Sequence, residues 1–418
     1  MSSSAIPLAS SLLPTSTRFA SIYEYVSDQE LMDLAKVKLL DGPSSLNEDN
    51  RSGSLACLSV RFALEFNQDG TAGDIARTQV ERHMRLCLAA TAGRETFITL
   101  AGSEPLLAEA AYELMKMAHS NPVRHLANHS DLHCVDRGRR GELVAALLIM
   151  RACDAARAAS SGRRWVSVNS FMEALLPPSR YRVLKESFPN SYRASEKLKF
   201  TTTFKDYGIW FNHVIKVEKD KMISADHLWK FIMRGAMILC TDTQKAIDII
   251  IPICHTQQPL SRDSVTAILV QVKNAEEYQQ DFKKTLFDPI DPIKLGLFPS
   301  KVDPKPVIRM VLALASRVDG VAFPDARQRE HDYGDSFTAF DVWCAGLSNE
   351  SFKHVDDDEA WYRILLERSL RPHDGFELQD DPEVDKEAKQ SRGAVRRRMA
   401  PLTTDDAAYH GIHLRDSN

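Results

Sequence analysis

The sequence predicts a mixed α/β fold, with a central, largely buried sheet flanked by helices and a helical region ahead of it. Three observations lead there. Five short apolar runs lie between residues 235 and 346, several of them bounded by turn-forming polar residues or proline. Apolar residues at helical spacing fill much of the chain before them. The composition, 44% hydrophobic and 26% charged over 418 residues, is that of a chain with a sizeable core and two or three domains.

Residues 1–54 mix Ser, Pro and polar side chains and read as a mostly flexible segment, with one helix over 28–39. No basic residue precedes Arg18, a poor match to a secretory leader. Residues 55–130 read as a helical accessory region. Leu58, Phe62, Ala63 and Phe66 fall at helical spacing, and helices follow over 78–91 and 106–119. Ser103, Glu104 and Pro105 read as a helix start, with proline near the first turn.

A new segment begins near Asn121-Pro122. Residues 137–141 read as a basic loop, and 142–159 as a strong helix with Leu143, Ala146, Leu147, Met150 and Cys153 on one face. Residues 161–225 read as an insertion. It holds a helix over 168–176 stopped by Pro177-Pro178, a basic irregular stretch over 180–206 and a strand over 209–217. A helix over 225–234 leads into the apolar runs GAMILCT, AIDIIIPIC, VTAILVQVKN, PVIRMVLALA and TAFDVWCAG, which read as strands buried on both faces. Residues 371–418 are polar and charged and read as a disordered tail.

Several function classes are disfavoured. No apolar run approaches the roughly 18–20 residues that span a bilayer, so no membrane partner is expected. The seven cysteines are scattered, odd in number and free of any CxxC pair, which predicts reduced thiols in an intracellular protein, nuclear or cytoplasmic. No G-x-S-x-G and no H-E-x-x-H occurs, so hydrolase and zinc-peptidase motifs are missing. His125, His129, His133 and Cys134 have a metal-like spacing, but Asn128, Ser130 and Asp131 interrupt the helix it would need. The triple arginine 396–398 and the acidic run 356–359 read as solvated charge.

The chemistry concentrates in the second and third apolar runs. Asp248 sits among apolar neighbours, and a carboxylate in a buried strand is costly unless it is paired or bound to a metal. Gln271 and Lys273 end the next run, two residues apart and therefore on one face of a strand. A hairpin would set them beside Asp248. Upstream, Glu142 opens the amphipathic helix next to Arg139 and Arg140.

An acid on a helix, an Asp on one strand and an acid-x-Lys on the next resembles the PD-(D/E)XK, or restriction-endonuclease-like, nuclease family. The strings IDIIIPI and ILVQVKN carry the match, and Gln271 in place of an acid resembles the QxK variant of Mrr-type restriction enzymes. The resemblance implies a restriction-endonuclease-like core over residues 131–370 and a metal-dependent endonuclease acting on DNA. Asp248 and Gln271 would ligate Mg²⁺ or Mn²⁺, and Glu142 would complete the shell through a water. Lys273 would orient the attacking water and stabilise charge on the phosphate. Asp226, on the helix just before the first strand, rivals Glu142 for the helical acid. His213 could also face this site, though a satisfied structural histidine is the blander reading. The alternative function is a catalytically silent module of the same fold that binds nucleic acid or protein. Oligomeric state is left open, a dimer being one option.

The stretch AGSEPLLAEAAYELM, the helix RGELVAALL and the QVKN strand together resemble fungal Crinkler-type proteins, in which a P-loop NTPase region is often followed by a nuclease-like domain. No Gly-Lys dipeptide occurs, so no Walker A loop can be drawn. The net charge of −4 conceals an uneven distribution. Residues 131–230 hold 18 Lys or Arg against 11 Asp or Glu, a basic middle compatible with a phosphate backbone.

Overall fold

The computed structural model describes residues 29–367 apart from 48–49, 67–69, 91–96, 119, 129–136, 161–164, 193–196, 218–222, 242–243, 275–283, 299–303 and 325–335. The chain forms two compact units.

The first unit is mainly helical and takes in the described residues up to 137 together with 212–215. It contains α1 (Gln29–Leu40), α2 (Arg51–Phe62), α3 (Gly70–Arg82), the strands β1 (Leu86–Ala90) and β2 (Phe97–Leu100), α4 (Pro105–Met117) and α5 (Pro122–Asn128). Asn50 caps α2 by accepting the Gly53 N–H at 2.8 Å. Pro105 opens α4, where its missing N–H costs nothing. Met32, Ala35 and Ala110 form one core cluster, with Leu106 and Leu107 against it. Residues 86–90, read above as the end of a helix, are a strand. Met84 takes a positive φ of 59° that breaks the helix, and β1 then pairs antiparallel with β2. Pairing with β2 has overridden local propensity there.

The second unit is built on a mixed sheet and spans residues 138–211 and 216–366. Its helices are α6 (Arg137–Ala159), α7 (Val168–Leu175), α8 (Pro178–Glu186), α9 (Phe200–Thr203), α10 (Ala225–Met233) and α11 (Glu359–Glu367). Its strands are β3 (Val166–Ser167), β4 (Tyr207–Ile209), β6 (Ala236–Leu239), β7 (Ile249–His255), β8 (Val265–Lys273), β9 (Val307–Ala313), β10 (Gly320–Ala322) and β11 (Ala339–Ala345). A further strand, β5 (His213–Lys216), begins in the segment that folds with the helical unit.

The strand order is β10-β11-β9-β8-β7-β4-β3, with β6 also beside β7. β6, β7 and β8 form an antiparallel meander. β9 and β11 then continue the sheet parallel to β8. Every residue of β9 and β11 is buried, as continuous apolar runs demand. All five apolar runs are strands. Residues 137–141, read as a loop, are the first turn of α6, so Glu142 stands inside the helix rather than at its start. The irregular stretch over 180–206 contains parts of two helices, α8 and α9. The strand over 209–217 is interrupted between β4 and β5. The stretch read as an insertion supplies β3 and β4, which extend the sheet beyond β7. None of the six described cysteines forms a disulfide. The tail beyond 367, the triple arginine, His129, His133 and Cys134 lie outside the described residues.

Two glycines are required by their surroundings. Gly235 ends α10 at φ +60°, and a Cβ there would lie 2.9 Å from the Trp210 ring. Gly141 lets α6 approach β8, as the site geometry requires.

Candidate functional site

Asp248 stands one residue before β7 and interrupts the regular ladder. Its N–H donates to Val270 O at 2.8 Å on one neighbouring strand, while its C=O accepts from Cys240 N at 2.9 Å on the other side. In a regular strand both groups of one residue point to the same neighbour. Val270 is already the register partner of Ile249, so two residues oppose one and the chain bulges at Asp248. The bulge re-aims the side chain. Asp248 Oδ2 accepts the Val272 N–H at 2.6 Å. Asp248 thus grips β8 on both sides of Gln271, through Val270 and through Val272.

Gln271 is 7% exposed, because β8 is enclosed by β7 and β9. Its Oε1 is buried and has no hydrogen-bond partner among the described residues. Gln244, between β6 and β7 and just before Asp248, likewise has a buried amide oxygen with no partner among the described residues. Lys273 is half-buried, and its C=O accepts from Leu314 N at 3.0 Å. Burial raises the Asp248 pKa above its ordinary value, against the opposing pull of the Val272 N–H and the Lys273 ammonium. The structure therefore gathers Asp248, Gln271 and Lys273 at one end of the β7–β8 hairpin.

The two candidate helical acids part company. A Cβ on Gly141 would lie 3.0 Å from Asn274 Cβ and 3.2 Å from Val272 Cγ1. The second turn of α6, with half-buried Glu142, is thus seated at the end of β8 that carries the other candidates. Val272 and Asn274 alternate with Gln271 and Lys273 along the strand. Gly141 consequently meets the face opposite Gln271 and Lys273. Asp226 is exposed and lies 3.7 Å from Arg262, in the turn between β7 and β8. The seven residues of β7, about 20 Å at strand rise, separate that turn from Asp248. Asp226 does not join the group. His213 belongs to the helical unit, where its ring meets Ser103 and Asn212.

Sequence reasoning missed the strongest ionic pair in the sheet. Arg309 on β9 and Asp341 on β11 are register partners, joined by two hydrogen bonds of 2.6 and 2.7 Å with both side chains buried. Arg309 also donates to Phe287 O at 3.1 Å, and Asp341 N–H donates to Asn190 Oδ1 at 2.7 Å. The signal was available, since each residue is the lone charge in an apolar run, as Asp248 is. This pair is fully engaged with the protein and clamps the parallel half of the sheet.

Oxygen donors at the hairpin end suit a hard cation or a strong hydrogen-bond donor. Among the described residues no group of three or more His, Cys, Asp or Glu gathers, so any cation would rest on few protein ligands. A family described as a domain of unknown function (DUF8736) matches residues 45–286, which include Glu142, Asp248, Gln271 and Lys273. No curated protein and no solved structure matches the chain.

Proposed function

We propose that this chain, which belongs to the DUF8736 family, is a metal-dependent phosphodiesterase that cuts DNA on a restriction-endonuclease-like core. The observation that carries this reading is Asp248 bulged across Gln271, with an unpartnered buried oxygen on Gln271 and Lys273 two residues on. The antiparallel meander supports it too, with the Asp at the start of its second strand and Gln-x-Lys at the end of its third.

The residues fit Mg²⁺ or Mn²⁺ through oxygen donors alone. Asp248 offers a desolvated carboxylate, and Gln271 an oxygen whose unmet bonding costs about 1–3 kcal/mol. A cation would offset both. Mg²⁺ is commonly held by one or two carboxylates, with water and phosphate oxygens filling the remainder. When bound, it would lower the pKa of a coordinated water and share the charge developing on phosphate. Lys273, half-buried at the strand end, would hold a water or a phosphate oxygen with its ammonium. Because α6 packs on the face of β8 opposite Gln271 and Lys273, Glu142 would take no part in holding the cation. The basic middle of the chain would meet the DNA backbone. A DNA substrate would go with a nuclear or cytoplasmic protein. Among the described residues no helix is long and apolar enough to cross a membrane.

Two observations favour a second reading. Asp248 Oδ2 is already committed to Val272 N–H, and Gln271 brings no charge. Both fit a silent module that keeps the fold and binds nucleic acid or protein without cutting.

Supercoiled plasmid incubated with the protein and Mg²⁺ or Mn²⁺ separates the two. The expected result is nicking that EDTA abolishes and that falls at least about a hundredfold in Lys273→Ala and Asp248→Asn. Equal nicking by these variants would overturn the assignment. Retained DNA binding with no nicking by any of them would establish the silent module.

A further inference from the structure

The helical unit contains a polar relay that the sheet chemistry does not use. Ser103 lies just before α4, and its Oγ is 2.8 Å from His213 Nε2. His213 Nδ1 is 2.8 Å from Asn212 Oδ1. The Asn212 amide nitrogen donates to Glu109 Oε2 at 2.9 Å and to Pro105 O at 3.2 Å. Those two acceptors fix the amide orientation and leave Oδ1 towards the ring. His213 Nδ1 must then carry the proton, which makes Nε2 of the neutral ring an acceptor. The Ser103 hydroxyl consequently donates to Nε2, as a serine does beside a general base. Asn212 and His213 are fully buried and Glu109 is 3% exposed, whereas Ser103 is partly open to solvent. The positive end of α4, where Glu104 makes no side-chain cap, begins beside Ser103.

A second Ser–His pair in the same unit shows what is special about the first. Ser52 Oγ is 2.8 Å from His83 Nε2, but among the described residues the other ring nitrogen of His83 meets only the Leu39 carbonyl. No amide and carboxylate stand behind that histidine.

We propose that Ser103 is the nucleophile of a second active site, with His213 as general base and Asn212 as the positioning residue, acting on carboxylic esters. Ser103 Oγ bonds to the acyl carbon and its proton passes to His213 Nε2. The ester C–O bond then breaks, and the departing alkoxide takes that proton. Water attacks the acyl-serine and gives a proton to Nε2. The bond from Oγ to the acyl carbon breaks, the carboxylic acid leaves, and Nε2 returns the proton to Oγ. The Glu109 carboxylate stays on the Asn212 amide throughout and holds the orientation of the base.

The test uses the full chain and a fluorophosphonate, which phosphonylates activated serines with loss of fluoride, alongside p-nitrophenyl acetate hydrolysis. Peptide mass mapping should find one adduct, on Ser103. Labelling and hydrolysis should vanish in Ser103→Ala and fall at least about a hundredfold in His213→Gln. Asn212→Ala should lower kcat with little change in KM and shift the pH profile. Ser52→Ala should label like the wild type, and EDTA should leave the labelling of the wild type unchanged, which keeps this site separate from the metal-dependent phosphodiesterase reading. No adduct on Ser103 of the folded wild type, or hydrolysis unchanged in Ser103→Ala, would overturn the proposal. The wild-type adduct map decides the matter even where a variant fails to fold.

Discussion

Asp248 Oδ2 accepts the Val272 N–H at 2.6 Å, so a side chain completes a ladder position that backbone leaves open at the bulge. Structure and charge can therefore be separated at one residue. Asp248→Ala leaves a part-buried N–H without its partner and should cost about 1–3 kcal/mol. Asp248→Asn keeps an acceptor oxygen and should cost well under half of that, while removing the charge. Urea denaturation of both variants beside the plasmid assay checks this. A nicking defect that simply followed the stability loss would reduce Asp248 to a structural role.

Burial raises the Asp248 pKa, so the folded chain binds this proton more tightly than the unfolded chain. The stability it adds is full below the ordinary carboxylate range and is lost as pH rises through the raised value. The wild type should therefore lose stability relative to Asp248→Asn as pH climbs from below the ordinary carboxylate range towards neutrality. Urea midpoints across that range test the sign. Added Mg²⁺ at neutral pH should recover stability in the wild type and not in the variant.

Gly141 is tolerated inside α6 because nothing larger fits. Alanine would gain about 1 kcal/mol of helix propensity. Its Cβ would press on Asn274 Cβ at 3.0 Å and Val272 Cγ1 at 3.2 Å, where neither neighbour is the far end of a flexible chain. Overpacking of about 1–3 kcal/mol should outweigh the gain. A lower melting temperature for Gly141→Ala is expected, and a larger drop for Gly141→Val. A rise in both would show that α6 does not sit tightly on β8.

The buried pair Arg309–Asp341 should respond asymmetrically. Removing one partner, as in Arg309→Met, strands a charge and should cost about 3–5 kcal/mol. Replacing both with apolar residues should recover much of that loss, since the desolvation of two charges is also removed. A double-mutant cycle by urea denaturation measures the coupling. Additive losses would mean that the pair does not act as a unit.

The sheet was legible from sequence because a run such as PVIRMVLALA has no polar face and can only be enclosed. The odd residues were legible for the same reason. A charge or amide inside such a run is costly in any fold, so Asp248, Gln271 and Lys273 stood out before any partner was known. Arg309 and Asp341 obeyed the same rule and were overlooked beside the recognised motif.

What stayed hidden depended on partners outside each local pattern. Residues 86–90 became a strand because β2 pairs with them. Glu142 was the favoured helical acid and Asp226 its rival; only packing could show that Gly141 lies against Asn274 and that Asp226 lies beside Arg262 at the far end of the hairpin. Ser103 and His213 meet across 110 residues, and neither sits in a recognisable catalytic motif. By itself the sequence determined which segments must be buried and which residues are costly to bury, since transfer from water depends on local composition. The tertiary structure alone decided which of those residues share a site, because that follows from long-range packing that no local pattern encodes.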